Sequence, residues 1–453
     1  GPSMKNVVDS DASKQVAFPF RGARMIEAGF DAEPISSDGG ALLLRQVDRR
    51  LGFVERIAAA LPDTRDVRHV EHGLKDLLRQ RILQIALGYE DANDATTLRS
   101  DPVLKACCDR DPLVDGDLAS QPTLSRLENA AGKKVCYRFA EALLEAYIAR
   151  RPKRPQFIVV DIDLTDDPTH GQQELTFFHA YYGGYVYLPL LFFDQDGDLI
   201  TAILLPGRPQ GPDALVPGLK RVIAGLQGRW PGLRILVRGD AGCAGPGVYE
   251  LAEEAGVEFL LGLRTNQRLK KAAKRLQTRA RRTFSRTGKK ARLFKAIRYR
   301  ARKGWPQSYR VIIKAEHNEL GPNLRFVVTN VSGRARRLYD RYAERGESCE
   351  NSIKDIKNVL KVDRLSCHRF LSNQFRLLLH ASAYVLMFAL RRLAHGTELA
   401  DAQMDTLRLR LLKIGTQVRT TARRISFHFS ASFPWQHVWH LIARRALHPV
   451  PTG

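Results

Sequence analysis

The chain has 453 residues, of which 44% are hydrophobic and 26% charged. These are ordinary globular values that exclude a disordered or fibrous chain and leave room for roughly two to four domains. The charge is not ordinary: 72 Lys and Arg stand against 48 Asp and Glu, a net charge of +24 with a pI near 10.0. Such an excess suits a polyanionic partner, nucleic acid above all, and no apolar run approaches the roughly 18 residues of a membrane span.

Gly1, Pro2 and Ser3 ahead of Met4 read as a cloning remnant, and no signal peptide is expected. Ser37 and Asp38 are positioned to cap a first helix carrying Leu42, Leu43, Leu44 and Val47. Leu74, Leu77, Leu78, Ile82, Ile85 and Ala86 recur at helical spacing, with Gly88 as a stop. Ser120-Gln121-Pro122-Thr123 opens a short helix through Leu124 and Leu127, which reads equally as the recognition helix of a helix-turn-helix or as a packing helix. Arg150-Arg151-Pro152-Lys153-Arg154-Pro155 is a boundary that no helix continues through. Beyond it, β-branched and apolar runs predict strands at 157–162, 186–193 and 199–205. A helix at 213–226, a strand at 235–237, a helix at 247–254 and a strand at 259–261 follow, which together make a mixed α/β sheet covered by helices.

Between Arg264 and Arg310 stand nineteen Lys or Arg and no Asp or Glu, leaving 53 basic and 48 acidic residues elsewhere. Phe284, Phe294, Tyr299, Trp305 and Tyr309 are interspersed through this run. Cations that neutralise phosphates, with aromatics able to stack on bases, make a nucleic-acid surface. The expected contacts include Lys270, Lys271, Lys274, Arg275, Arg281, Arg282, Lys289 and Lys290. Strands predicted at 292–300, 309–315 and 324–330 mark part of the segment as a β-rich insertion. A helix follows from about Leu338 to Leu360, then a long apolar helix from Phe370 to Leu393 and a basic tail with Arg408, Arg410, Lys413, Arg419, Arg423 and Arg424. The six cysteines, Cys107, Cys108, Cys136, Cys243, Cys349 and Cys367, form no CxxC pair and no zinc-spaced array, and read as reduced thiols of a cytoplasmic protein.

Three acidic places stand at the ends of predicted elements. Asp161 and Asp163 share one face of the first strand, Asp240 closes the fourth between two flexible glycines, and Glu350 lies on the late helix with Glu347, Lys354 and Lys357. In a sheet of this kind strands one and four are commonly neighbours, so their carboxyl ends meet in one crevice that the late helix can complete. Three carboxylates so close repel unless a divalent cation sits among them, and hard oxygen donors favour Mg²⁺ or Mn²⁺. Two such ions would serve phosphodiester chemistry.

With these stretches in place the chain resembles the DDE transposases, and most closely the thirteen-eighty family of insertion-sequence transposases. The matching residues are Ile35-Ser36-Ser37-Asp38-Gly39-Gly40, the run from Asp161 to Gly171, Arg238-Gly239-Asp240-Ala241-Gly242, and the run from Glu350 to Asn358. The resemblance implies a ribonuclease H-like α/β fold: a mixed sheet, a helical N-terminal DNA-binding domain (4–150) and a core in two parts (156–263 and 336–396). It implies a basic β-rich insertion (264–335) before the catalytic Glu helix and a basic C-terminal region (397–453). It also implies Asp163, Asp240 and Glu350 as the catalytic, metal-holding acids, with Asp161 the fallback for the first and Glu347 for the third. Tyr342, Arg345, Glu350 and Lys357 look like the signature around the last acid of a related group, with Arg345 and Lys357, together with Lys354, on DNA phosphates. Trp305 could stack on an extruded base if a DNA hairpin forms. The activity so implied is cut-and-paste transposition: binding of terminal inverted repeats, cleavage at each end and joining of 3′-hydroxyls to target DNA. Two Mg²⁺ or Mn²⁺ ions per site, a homodimer in the synaptic complex and a nucleoid-associated place in a bacterial cytoplasm go with it. A nuclease that cuts without joining, and a DNA-binding protein with a silent site, are the rival readings.

Overall fold

The computed structural model describes residues 15–19, 24–63, 65, 68, 70–164, 186–207, 211–302, 304–360 and 369–448. A hairpin of β1 (Gln15–Pro19) and β2 (Met25–Gly29) and the short strand β3 (Ile35–Ser36) lead into helices. These are α1 (Ala41–Leu51), α2 (Phe53–Ala60), α3 (Leu74–Ala86), α4 (Asp94–Leu98), α5 (Pro102–Cys107), α6 (Gln121–Ala130) and α7 (Lys133–Ala149). The expected side-chain cap on α1 is not made: Gly40 stands at its N-cap without one. Asp38 is fully buried instead, bonded to Lys413 Nζ at 2.7 Å and to Tyr89 Oη at 2.8 Å, because a carboxylate out of water needs a charge partner more than a helix needs a cap. Gly40 is held there by crowding, since a Cβ would stand 1.8 Å from the Leu411 carbonyl oxygen. The start and the end of the chain are thus stapled together.

Helix α6 is a packing helix. Its Glu128 is buried between Arg81 Nε at 3.0 Å and Arg376 Nε at 2.6 Å, and the connection from α5 runs from 108 to 120, far longer than a helix-turn-helix allows.

The sheet follows: β4 (Phe157–Leu164), β5 (Val186–Phe193), β6 (Leu199–Gly207), β7 (Arg234–Gly239), β8 (Glu258–Leu263), β9 (Ala291–Tyr299), β10 (Tyr309–Asn318) and β11 (Gly321–Thr329). A 3₁₀ turn (Pro212–Leu215) leads into α8 (Val216–Arg229), and α9 (Pro246–Ala255) joins β7 to β8. All eight strands form one sheet in the order β6-β5-β4-β7-β8-β11-β10-β9. The three strands of the basic segment extend this same sheet: β11 pairs antiparallel with β8 through Phe326 and Leu263. Strands β4, β7 and β8 are parallel to one another. Along β4, Ile158, Val160 and Ile162 face one side, packed under α8, α9 and α10 (Gln267–Thr287), while Val159 joins the opposite side.

That opposite side is covered by α11 (Ala335–Leu360) and α12 (Phe370–Leu393). Leu338 and Tyr339 of α11 pack on Val159, Leu236, Leu260, Ile312 and Val327. Helix α12 is buried along almost its whole length, in one core with α1, α2, α3, α7 and the β5–β6 face of the sheet. The N-terminal helices and the sheet so share a core. The tail adds a short helix α13 (Met404–Leu407) with a π-turn to Leu412, a hairpin of β12 (Thr416–Thr421) and β13 (Arg424–Phe429), and α14 (Gln436–Leu447). Strand β12 also pairs with β3. Among the described residues no helix is long and apolar enough to cross a membrane.

Removing the charge of Glu128 leaves two arginines facing each other in the core. Glu128→Gln should lower unfolding free energy by about 3–5 kcal/mol, read from urea denaturation; a loss under about 1 kcal/mol would contradict the buried triad.

Candidate active site

The register of β4 on β7 pairs Asp161 with Arg238 and Ile162 with Gly239. One residue further, Asp163 and Asp240 stand level at the carboxyl ends of neighbouring parallel strands, with backbones about 5 Å apart. Alternation puts Asp161 and Asp163 on the side covered by α11. Asp163 is buried. Asp240 is half-buried in a tight turn, its Oδ1 accepting from the Gly242 N–H at 2.8 Å. Leu164 lies against the same turn, 3.7 Å from where a Gly242 Cβ would stand.

Helix α11 crosses this end of the sheet. The Arg345 guanidinium donates to the Ile162 carbonyl at 2.8 Å and lies 4.0 Å from Asp163 Oδ1. The Tyr342 hydroxyl rests over Gly262 and the Asp240–Ala241 peptide. A Cβ on Gly262 would come within 2.8 Å of both Tyr342 Oη and the Ala241 nitrogen, so glycine is what lets helix, strand and turn close together. Burial pushes the Tyr342 hydroxyl up to about 12. Glu350 lies five residues beyond Arg345, about 7.5 Å along the helix, on the stripe of Tyr339 three turns earlier. Its side chain, like those of Glu347 and Lys357, lies outside the described residues, as do the motif residues 165–171.

Asp161, the fallback for the first acid, is held by a partner of its own. Both of its oxygens accept from Arg238, from Nε and Nη2 at 2.7 Å each, and the pair is buried. Arg238 Nη1 donates to the Arg341 carbonyl of α11 at 2.6 Å. One guanidinium therefore ties β4, β7 and α11, the three elements that carry Asp163, Asp240 and Glu350. Sequence reading passed over Arg238; the signal was a charge inside an otherwise apolar strand, two residues before Asp240.

The Transposase DDE domain group 1 family matches residues 18–449. The chain belongs to that family. It is a DDE transposase, an enzyme acting on phosphodiester bonds. No curated protein matches it. The mixed eight-stranded sheet is compatible with the ribonuclease H-like fold of such enzymes.

DDE transposases are generally dependent on divalent metal. The two level carboxylates of this transposase offer hard oxygen donors suited to Mg²⁺ or Mn²⁺. The Cys243 sulfur lies 3.7 Å from Asp240 Oδ1, and burial pushes its thiol well above the usual range, so it stays a thiol and not a soft ligand. Among the described residues no group of three His, Cys, Asp or Glu side chains comes together as a metal site.

The basic segment of the transposase is built differently from its expectation. Helix α10, unanticipated, buries Leu269, Ala273, Leu276 and Ala280 against the sheet and exposes Lys270, Lys271, Lys274, Arg275, Arg281 and Arg282, with Lys289 and Lys290 exposed just beyond it. Asn266 caps its start by accepting from the Leu269 N–H, and Gly288 in left-handed conformation ends it. Lys290 is 3.3 Å from Glu316. The aromatics point the other way. Trp305 is buried edge-on against Tyr249, Tyr299 and Tyr309, with ring centroids 5.2, 5.4 and 5.9 Å away. It has no free face for a base, and the expectation of stacking there is corrected. Tyr342, too, is packed inward and not presented to DNA, whereas Lys354 is exposed.

Arg238→Gln should cost about 3–5 kcal/mol in stability by leaving Asp161 charged and buried, whereas Asp161→Leu combined with Arg238→Leu should recover most of it. Thermal or urea unfolding of both variants measures this, and a double variant no more stable than the single one would refute the pairing.

Proposed function

We propose that this transposase is a cut-and-paste enzyme of the thirteen-eighty family of insertion-sequence transposases, with Asp163, Asp240 and Glu350 as its catalytic acids. The observation that supports this reading is the level pair Asp163 and Asp240 on adjacent parallel strands, with the helix of Glu350 tied beside them by Arg238 and Arg345. The three acids would hold two Mg²⁺ or Mn²⁺ ions, which when bound activate a water or 3′-hydroxyl and stabilise the leaving oxygen. In the first reaction the oxygen of water joins phosphorus as the bond to the 3′-oxygen breaks, leaving a 3′-hydroxyl and a 5′-phosphate. In the second, the oxygen of that 3′-hydroxyl joins a target phosphorus as the target's own P–O3′ bond breaks, which joins the ends and releases a target 3′-hydroxyl. Arg345 keeps the end of β4 and the Asp163 carboxylate in place against α11. Lys354 and Lys357, one turn and two turns beyond Glu350 on α11, hold phosphates near the scissile bond, and the exposed cations of α10 hold the flanking duplex. Two transposon ends must meet, so the working complex is a homodimer on DNA bearing terminal inverted repeats, in a bacterial cytoplasm.

Asp163→Asn, Asp240→Asn and Glu350→Gln should each lower cleavage of an end duplex by roughly a thousandfold or more with binding retained; full cleavage by Asp240→Asn would sink the assignment. A precleaved end should be joined to a target plasmid by the wild type, and cleavage without joining would make the protein a nuclease. Replacing Lys270, Lys274, Arg275 and Arg281 with Gln should flatten the plot of log affinity against log salt by up to about 0.9 per residue, and an unchanged slope would remove α10 from the DNA surface.

A further inference from the structure

The basic run at 264–310 is not the only acid-free stretch. From Thr406 to Gly453 there are eight Lys or Arg and no Asp or Glu, so outside the two stretches the chain holds 45 basic and 48 acidic residues. The entire positive charge comes from these two places. The fold consumes part of the second. Lys413 pairs with Asp38, Arg408 donates to the Ala86 carbonyl and to Asp405, Arg410 covers the Trp435 ring at 4.6 Å, and Arg445 bonds the Leu393 carbonyl. The β12–β13 hairpin keeps Arg419, Arg423 and Arg424 exposed, and among the described residues none of the three makes an ion pair.

Register sorts the hairpin into two faces. Thr416, Val418, Phe427 and Phe429 look inward; Val418 is buried in the shared core and Phe429 packs edge-on against Trp439. The other face pairs Gln417 with His428, Arg419 with Ser426 and Thr421 with Arg424, every one a hydrogen-bonding side chain and none an acid. A two-stranded ribbon is about as wide as the major groove, roughly 12 Å, and arginine and glutamine are the side chains that bind guanine and adenine edges there in bidentate fashion. The hairpin is anchored as a reading element must be, since β12 is also paired to β3 and the preceding Lys413 is locked to Asp38.

We propose that the β12–β13 hairpin is a second DNA contact of this transposase, separate from α10, that lies in the major groove and reads base pairs through Arg419, Arg424 and their polar neighbours. The chemistry is direct readout, whereas the cations of α10 bind the backbone without regard to sequence.

The test uses the full-length protein and a random-sequence duplex pool from which bound molecules are sequenced. The wild type should enrich a defined site. Arg419→Gln with Arg424→Gln should lose about tenfold of the preference at one or two base pairs of that site. Arg419→Lys with Arg424→Lys should lose the same preference while keeping overall affinity, since lysine retains the charge but not the fork. No preference in the wild type, or an intact preference in the Gln pair, would overturn the proposal and leave the arginines as guards of an exposed strand edge. A preference lost in the Gln pair but kept in the Lys pair would also overturn it, since a charge without the arginine fork would then suffice. If the Gln pair melts lower than the wild type, the Lys pair decides alone. Asp240→Asn, which should select the same site as the wild type, separates this outcome from any failure of the catalytic assignment.

Discussion

Two aspartates held level on neighbouring parallel strands repel each other, and the architecture at this end of the sheet manages that repulsion. Their backbones stand about 5 Å apart at the edge of a partly buried crevice. The strands cannot slide to relieve the repulsion, because Ile158, Val160 and Ile162 are packed on one side and Val159 on the other. The neighbouring carboxylate, Asp161, is removed from the balance by a guanidinium of its own, and Arg345 brings a further positive charge beside Asp163. What remains is a pair of acids in a rigid frame, suited to a divalent cation and expensive to keep without one.

The same guanidinium explains why the helix of Glu350 lies where it does. Arg238 is buried, satisfied on two sides by Asp161, and spends its remaining nitrogen on the α11 backbone. A charge placed so deep is tolerated only when each of its donors has a partner, so the ion pair and the helix position enforce one another. The Tyr342–Gly262 contact fixes the helix from the other flank.

Much of this was legible in the chain, in proportion to how local the cause was. The apolar runs of β4, β5 and β6 and the periodicity of α3 and α12 announced themselves within single segments. That Asp163 and Asp240 would stand together followed from the parallel neighbours β4 and β7. The fate of Asp161 did not, because it depends on which residue of β7 stands opposite, and register is a property of two strands. Helix α10 was hidden by its own charge: four small or apolar residues at 269, 273, 276 and 280 carry its inner face, and the cations between them dominate any reading of the segment. The aromatics there read as base-stacking because their spacing shows nothing of direction; in the fold Phe294, Trp305 and Tyr309 point to the core. The pairing of β11 with β8 and of β3 with β12 joins residues far apart in the chain and leaves no local trace.

The central claim is that Asp163, Asp240 and Glu350 surround one metal site. Iron-directed cleavage tests it without any DNA. Fe²⁺ substituted for Mg²⁺ generates hydroxyl radicals at the ion in the presence of ascorbate and peroxide, and these cut the nearest backbone. Cuts close to residues 163, 240 and 350 together are expected, suppressed by excess Mg²⁺ and lost in Asp163→Asn. Cuts near only one of the three places, or a pattern that the variant leaves unchanged, would contradict it.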